Sequence, residues 1–339
     1  MSLNLFEIIF RISIIYILIA TGSFLRHLSS DPDNSILIKY LTKIILTIFF
    51  PFLVISSILN VSIDSFSIVI MSILFCLVVM GVGLFSVFTY SRFKDIPDQT
   101  LGSMFLAVSF PNSVFLPFPL ILMLVGPQGL ISATLFAVTV IIVQNSLGSY
   151  LAIKFGHHVD PSASLHFKDI FKKVVYFPPT LSMIAGFFIK IFFQPSSFTS
   201  FFSFLPFSSG QINFTINGIS WISLVLALIL VGLTFNISFT SLENRFLTPT
   251  AAFRLISAPI VAIVILFVTY ELFFPSQTLQ ADFVIPLVIQ AFSGPAIINI
   301  AFSKQFGLDV ESESMYITVI TLLSLFLIPL IVVLFYSFF

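Results

Sequence analysis

Two apolar segments that lie far apart in the chain each combine a proline with an amide side chain. The first, AVSFPNSVFLPFPLIL, contains Pro111 and Asn112, and the second, QAFSGPAIINIAFSKQFG, contains Pro295 and Asn299. Aligning the two prolines also aligns an alanine four residues before each of them. A proline inside a helix removes one backbone hydrogen bond and clashes with the preceding turn, at a cost of about 3 kcal/mol. The pattern therefore predicts two interrupted helices with polar groups at the interruptions.

Interrupted helices persist at membrane depth only where the broken backbone is packed in protein or lines a polar cavity. A half-helix that begins at a break directs free N–H groups and partial positive charge at the crossing point, where an anion can bind without a buried lysine. Two ordinary proline kinks are the simpler alternative. The matched positions and adjacent amides favour a substrate-binding site, which is predicted to comprise Pro111, Asn112, Ser113, Val114, Gly294, Pro295, Ala296 and Asn299.

Three further amides lie within apolar segments and are secondary candidates for the same site: Gln144, Asn145 and Gln290. Coordination of a coupling ion by such amides is one interpretation. Hydrogen bonding between neighbouring helices explains them at least equally well.

The composition indicates a membrane protein. The chain has 339 residues, of which 58% are hydrophobic and 8% charged, and its mean hydropathy is +1.15. A soluble domain carries about 25% charged residues, so this apolar surface must face lipid or other spans. The formal net charge is zero, which gives no electrostatic basis for nucleic acid binding.

Apolar runs near 20 residues long predict ten transmembrane spans. They cover residues 5–25, 36–59, 66–89, 101–124, 130–153, 174–194, 217–236, 250–274, 282–302 and 314–337. Apart from Lys190, the Lys and Arg residues between spans fall in the odd-numbered loops, which predicts a cell-membrane protein with both termini outside. The first run lacks a basic leader segment and is interpreted as a retained span.

Five spans on each side of a central linker give the two halves opposite orientations in the membrane. The predicted fold is therefore an all-α integral membrane protein with ten helices in a 5+5 inverted repeat, in which helices 4 and 9 are broken and cross. The first repeat covers residues 1–153, the cytoplasmic linker 154–173 and the second repeat 174–339.

No enzyme, metal site or cofactor is predicted. The sequence has no H-E-x-x-H, no G-x-S-x-G and no close pair of intramembrane aspartates. His157, His158 and His166 of the linker are loosely spaced, and neither cysteine nor paired carboxylates support a metal site there.

The residues at the two breaks resemble the auxin efflux carrier family, which includes the plant PIN carriers and prokaryotic transporters of small carboxylates. The family's span-four pattern, G-N-T-G-F-x-G-x-P-L, runs in register with residues 111–120, and its span-nine pattern, P-x-x-x-N, matches Pro295 through Asn299. Pro51 in span two and Pro329 in span ten extend the likeness over nearly the whole chain.

This resemblance implies an elevator-type transporter that forms a homodimer. The scaffold would comprise residues 1–60 and 174–236, and the mobile transport part residues 66–153 and 250–339. Three family glycines of span four are replaced here by Pro111, Val114 and Pro117, so the crossover should be stiffer, and the cavity narrower, than in typical members.

Ionisable residues at mid-depth would indicate a proton or ion pathway. Glu7, Arg11 and Glu271 lie near the ends of spans and can reach an interface, and snorkelling is the expected behaviour of Lys43 and Arg254. No carboxylate is predicted at mid-depth, which disfavours a proton relay. Facilitated transport and coupling through carbonyls and amides both stay open.

The sequence and this resemblance thus predict a carrier of a small organic anion, in particular a carboxylate, that works by elevator-type alternating access in a lipid bilayer. A sodium- or proton-coupled symporter with a bile-acid-transporter-like fold is the alternative, and a channel is a further one. A monocarboxylate with an apolar body suits Val114 and Phe115 better than a dicarboxylate. The particular substrate and the direction of transport do not follow from the sequence.

Overall fold

Apolar runs of Leu, Ile, Val and Phe form helices along the whole described chain, because a helix satisfies its backbone hydrogen bonds within one segment. The computed structural model describes residues 5–28, 35–60, 66–156, 176, 178–193, 209–235, 244–274 and 279–336. Within them lie α1 (Leu5–Leu28), α2 (Ser35–Ile44), α3 (Phe50–Asn60), α4 (Phe66–Phe93), α5 (Asp98–Ser109), α6 (Pro117–Leu124), α7 (Leu130–Val143), α8 (Ser149–Phe155), α9 (Pro178–Phe193), α10 (Ser209–Thr234), α11 (Leu247–Ala252), α12 (Ala258–Phe273), α13 (Ala281–Ala291), α14 (Asn299–Phe306) and α15 (Val310–Tyr336).

Three π-helical turns join pairs of these helices into longer ones. Ile45–Phe49 connects α2 to α3, Gln144–Gly148 connects α7 to α8, and Phe253–Ser257 connects α11 to α12. Such turns occur frequently at functional sites. Two of the three carry polar side chains, Gln144 and Arg254, that lie close to the predicted site.

The all-helical class is confirmed, since the described residues contain no strand. Six helical stretches are long and apolar enough to cross a membrane: Ile9–Leu28, Leu37–Ser56, Ser67–Phe93, Pro127–Phe155, Leu247–Phe273 and Val310–Tyr336. Thr180–Phe193, Gly218–Thr234 and Ala281–Ala291 are shorter apolar helices. This arrangement is that of a multi-pass membrane protein.

Several helices extend beyond the predicted spans. α4 continues to Phe93, α10 begins at Ser209, and α15 begins at Val310 rather than at residue 314. The last difference places Glu313 inside a helix. Most of the predicted linker, residues 157–173 with its three histidines, lies outside the described residues.

The most extensive contact between two described helices is that of α1 with α10, and it includes two glycines. A Cβ atom on Gly22 would lie 2.1 Å from the Ile229 carbonyl oxygen, and one on Gly232 would lie 2.0 Å from the Ile19 carbonyl oxygen. Small residues allow this backbone approach, which is the usual way that helices pack in lipid. Elsewhere α3 packs on α9, and α4 packs on α5, α7 and α12.

Helices α7 and α13 form the centre of the molecule. Residues 130–140 of α7 are all buried, and so are residues 283–291 of α13. A helix that is apolar on every side belongs inside a bundle. By contrast, large apolar side chains on the outer helices, including Phe24, Phe85 and Leu272, are more than half exposed, as expected of a surface that faces lipid.

Candidate functional site

The two proline breaks lie against each other. Pro111 and Pro295 form an isolated antiparallel bridge between the segment that joins α5 to α6 and the segment that joins α13 to α14. The Asn112 N–H donates to the Gly294 carbonyl at 2.8 Å, and the Ala296 N–H donates to the Phe110 carbonyl at 2.9 Å. Backbone groups freed by one break are thus satisfied by the other.

Gly294 allows this crossing to pack on α15. A Cβ atom at this position would lie 2.3 Å from Thr321 Oγ1 and 2.7 Å from Thr321 Cα. Because backbone atoms cannot be displaced as easily as the end of a side chain, any residue larger than glycine would push the crossing away from α15.

A cavity of about 380 Å³ opens beside the crossing and receives side chains from both broken segments and from the α7–α8 helix. Seven of the predicted site residues line it: Pro111, Asn112, Ser113, Val114, Ala296, Gln144 and Asn145. Most of the other lining residues are apolar, among them Phe115, Ile141, Ile297 and Ile298, while Ser149 and Gln305 are polar. Gly294, Pro295, Asn299 and Gln290 do not line the cavity and lie behind it.

Asn112 lines this cavity and carries a hydrogen-bond donor without a partner among the described residues. The side chain is 3% exposed, and its Oδ1 accepts a hydrogen bond of 3.2 Å from the Phe115 N–H, which fixes the orientation of the amide. Its Nδ2 has no hydrogen-bond partner among the described residues. Buried donors are normally paired, so this one calls for an acceptor that enters the cavity.

Asn299, unlike Asn112, does not line the cavity. It is fully buried, and its Oδ1 accepts a hydrogen bond of 2.6 Å from Gln144 Nε2, while its Nδ2 donates to the Leu106 carbonyl at 3.0 Å. Gln144 itself lines the cavity. Asn299 is therefore connected to the cavity through Gln144.

The other two amides bind backbone. Gln290 Nε2 donates to the Ser113 carbonyl at 2.9 Å and to the Ala133 carbonyl at 3.3 Å, which ties α13 to the first break and to α7. Asn145 Nδ2 donates to the Ile141 carbonyl of its own helix at 2.9 Å. The Gln290 bonds match the interhelical bonding that was the alternative interpretation of these amides, whereas Asn145 binds within its own helix.

The two half-helix N-termini differ in the donors that they offer. α6 begins with Pro117 and has Pro119 in its first turn, and neither residue has an N–H group. The N–H of Phe118 donates to the Val114 carbonyl at 3.3 Å. The N-terminus of α14 contains no proline and directly follows Ile298, which lines the cavity. Its first three N–H groups donate to the carbonyls of the three residues before the helix, at 2.9 to 3.3 Å, so its contribution at the cavity is the partial positive charge of the helix end rather than free donors.

Arg254 does not snorkel to an interface, and that prediction is wrong. The residue is fully buried in a π-helical turn, where its Nε donates to the Ser293 carbonyl and its Nη2 to the Ala291 carbonyl, both at 3.0 Å. These carbonyls belong to the C-terminal end of α13 at the crossing. The last carbonyls of a helix have no N–H partner within the helix, and here the guanidinium donates to them instead. A buried cation therefore lies behind the site, where none was expected.

Glu313 is the polar residue that sequence reasoning missed. Its side chain has no exposed surface, and neither carboxylate oxygen has a hydrogen-bond partner among the described residues. The apolar run begins after it, so the predicted span left it in a loop. A capping signal was available, because Asp309 accepts a bond of 3.0 Å from the Ser312 N–H and thereby starts α15 ahead of Glu313.

No metal centre is visible within the described ranges, where no three His, Cys, Asp or Glu side chains come together in a way that could hold an ion. The three linker histidines fall outside those ranges.

No protein-family model matches the chain. Among curated proteins, it is similar to an uncharacterized transporter of Methanothermobacter thermautotrophicus, with 22% identity over 290 residues that cover 86% of each protein. The similarity therefore extends over most of the chain. This similarity and the six long apolar helices support a membrane transporter in general terms. The narrower resemblance to auxin efflux carriers stays a prediction.

Proposed function

We propose that this protein is a secondary carrier of a small organic anion, most simply a carboxylate, which binds in the cavity beside the crossing of the two broken helices. The observation that carries the proposal is the Asn112 amide, whose Nδ2 is a buried donor without an acceptor at the cavity wall. A carboxylate supplies the missing acceptor and gains the stronger bond that a charged partner makes.

The charges around the crossing favour an anion. The C-terminus of α13 lies at the crossing, and its partial negative charge alone would repel an anion. Arg254 is bound to the terminal carbonyls of that helix, so its full positive charge more than offsets the partial charge. The N-terminus of α14 adds partial positive charge from the opposite side.

The cavity limits the size and character of the substrate. A volume of about 380 Å³ lies at the small end of the usual range for ligand sites. Val114, Phe115 and Ile297 provide apolar wall, while Asn112 and Gln144 provide the polar groups. A monocarboxylate with an apolar body fits this division better than a dicarboxylate.

Packing between helices supports an elevator mechanism. α1 packs on α10 and α3 packs on α9, which joins the helices assigned to the scaffold, residues 1–60 and 174–236. The crossing lies among α5, α7, α13, α14 and α15, all in the part assigned to transport. We infer that this part moves as a unit in a ten-span inverted repeat, and that scaffolds of two copies form the homodimer.

Ligand screening and counterflow test the function. We expect pyruvate or benzoate to raise the thermal unfolding temperature of the purified protein, and the neutral isostere benzamide to leave it unchanged. The stabilising compound should then show saturable counterflow in proteoliposomes. Preference for benzamide or for a cationic amine would contradict an anion carrier, and an ohmic current would identify a channel.

A further inference from the structure

Glu313 lies behind the crossing without any of the partners that an ionised carboxylate requires. It is fully buried in α15, and both of its oxygens lack a hydrogen-bond partner in the described part of the chain. The hydroxyl group of Tyr316, one turn along the same helix, is also buried without a partner. An ionised group in such a place is strongly disfavoured, because nothing replaces the water that it has lost.

A second carboxylate lies one turn before Glu313. Asp309 is in the turn before α15, and its backbone carbonyl accepts a hydrogen bond of 3.0 Å from the Glu313 N–H. The Asp309 side chain accepts hydrogen bonds from Thr100 Oγ1 at 2.9 Å and from Ser312 Oγ at 2.6 Å. Asp309 therefore offers Glu313 no compensating positive charge.

No cation on the described helices that pack against α15 compensates for Glu313. Lys304 of α14 and Asp98 of α5 are exposed, and Asp282 lies at the end of α13 that is remote from the crossing. Arg254, in the π-helical turn between α11 and α12, is bound to the carbonyls at the end of α13. The remaining way to neutralise the carboxyl is to bind a proton.

We propose that Glu313 is a proton-binding site and that its proton is transported together with the anion held at the crossing. This inference rests on the carrier function proposed above and adds the coupling ion to it. An intramembrane carboxyl with no structural partner is the kind of group that proton-coupled transporters use.

A chain of side chains connects the two sites. Asn299, which faces Glu313, accepts the 2.6 Å bond from Gln144, and Gln144 lines the cavity. Loss of the proton leaves a negative charge that attracts Asn299 Nδ2 away from the Leu106 carbonyl and that repels an anion in the cavity. Linkage is reciprocal, so a bound anion in turn strengthens proton binding. One proton and one anion enter from the same side and leave together on the other.

Infrared spectroscopy tests the proton site without any substrate. We expect purified wild-type protein in heavy water to show the carbonyl stretch of a protonated, buried carboxyl at neutral pH, and Glu313→Gln to lack it. Glu311→Gln is the matched control, because Glu311 is exposed on the same helix and its loss should leave the band in place. A band that survives in Glu313→Gln overturns the proposal.

Transport measurements test the coupling. With labelled pyruvate and benzoate, wild-type affinity should be constant while Glu313 stays protonated in the empty protein, and should fall by up to about tenfold per pH unit once the pH is high enough to ionise it. Glu313→Gln should bind with an affinity independent of pH and lose accumulation driven by a pH gradient. The wild-type pH dependence alone keeps the test decisive if the variant does not fold.

The two proposals fail in different ways. Absence of saturable counterflow by wild-type protein with every probe overturns the carrier function, while the infrared band still reports on the proton site. If counterflow occurs with an affinity that does not change with pH, the proposed coupling of proton and anion is wrong, whereas the carrier function is still supported.

Discussion

The amide of Asn112 uses its oxygen and its nitrogen differently, and this division makes it the most informative residue of the site. Its oxygen caps the turn that leads into α6 through the Phe115 N–H, whereas its nitrogen has no hydrogen-bond partner among the described residues. A substitution can therefore remove the donor and retain the cap.

We expect Asn112→Asp to weaken binding of a carboxylate more than Asn112→Ala does. Alanine loses a hydrogen bond to a charged group, worth about 1.5–3 kcal/mol, or roughly ten- to hundredfold in affinity. Aspartate keeps the bond from the Phe115 N–H at 3.2 Å but places a negative charge where the donor was. Calorimetric titration measures both affinities. Equal, wild-type affinity in both folded variants would place the anion elsewhere.

Asn299 is expected to matter for stability first. Asn299→Ala leaves Gln144 Nε2 without its partner at 2.6 Å. It also removes the 3.0 Å bond to the Leu106 carbonyl, which still accepts the Phe110 N–H. An unsatisfied buried donor costs about 1–3 kcal/mol, so the thermal unfolding temperature should drop clearly. Gln144→Ala, which removes a cavity-lining amide from the same bond, should lower both stability and affinity. A double-mutant cycle in thermal unfolding measures their coupling. If the effects of the two substitutions on stability are strictly additive, the hydrogen bond between Gln144 and Asn299 does not contribute to stability.

At the scale of elements, the sequence predicts where the helices break but does not predict the side chains that pack behind the breaks. Pro111 and Pro295 predict interruption because the loss of an N–H is a local property of proline. The bonds of Arg254 to carbonyls 37 and 39 residues away depend on how α12 packs on α13, which no local pattern encodes. The position of Glu313 likewise depends on where α15 starts, and hydropathy alone misses capped polar turns.

Substitution of Gly294 tests how closely the crossing packs on α15. Gly294→Ala would place a Cβ atom 2.3 Å from Thr321 Oγ1 and 2.7 Å from Thr321 Cα. Overpacking of this kind costs about 1–3 kcal/mol, so we expect a lower unfolding temperature and weaker substrate binding together. Gly81→Ala in α4 is the control, because nothing lies within 4 Å of the added atom and alanine favours the helix. Equal behaviour of the two variants would contradict the close packing.

At the scale of the whole molecule, the distribution of charge and the packing of helices support one orientation. α4 ends beside Arg92 and Lys94, whereas α12, which packs against it, ends near Glu271 and has no basic residue in its last turn. Basic residues collect in cytoplasmic loops, so the end of α4 should be inside and the end of α12 outside. The same orientation puts the start of α15, with Asp309 and Glu313, toward the cytoplasm.

Cysteine accessibility decides this orientation. Lys94 and Glu271 are both exposed. Cys76, the single native cysteine, is buried, so a Cys76→Ser background removes the native thiol without changing the protein surface. In intact cells, a membrane-impermeant thiol reagent should label Glu271→Cys and spare Lys94→Cys. Permeabilised cells should show labelling of both, which controls for reactivity. If Lys94→Cys reacts in intact cells while Glu271→Cys does not, the molecule is inverted, and both termini lie inside. If both react before permeabilisation, α4 and α12 do not cross the membrane in opposite directions, and the ten-span inverted repeat on which the elevator mechanism depends is wrong.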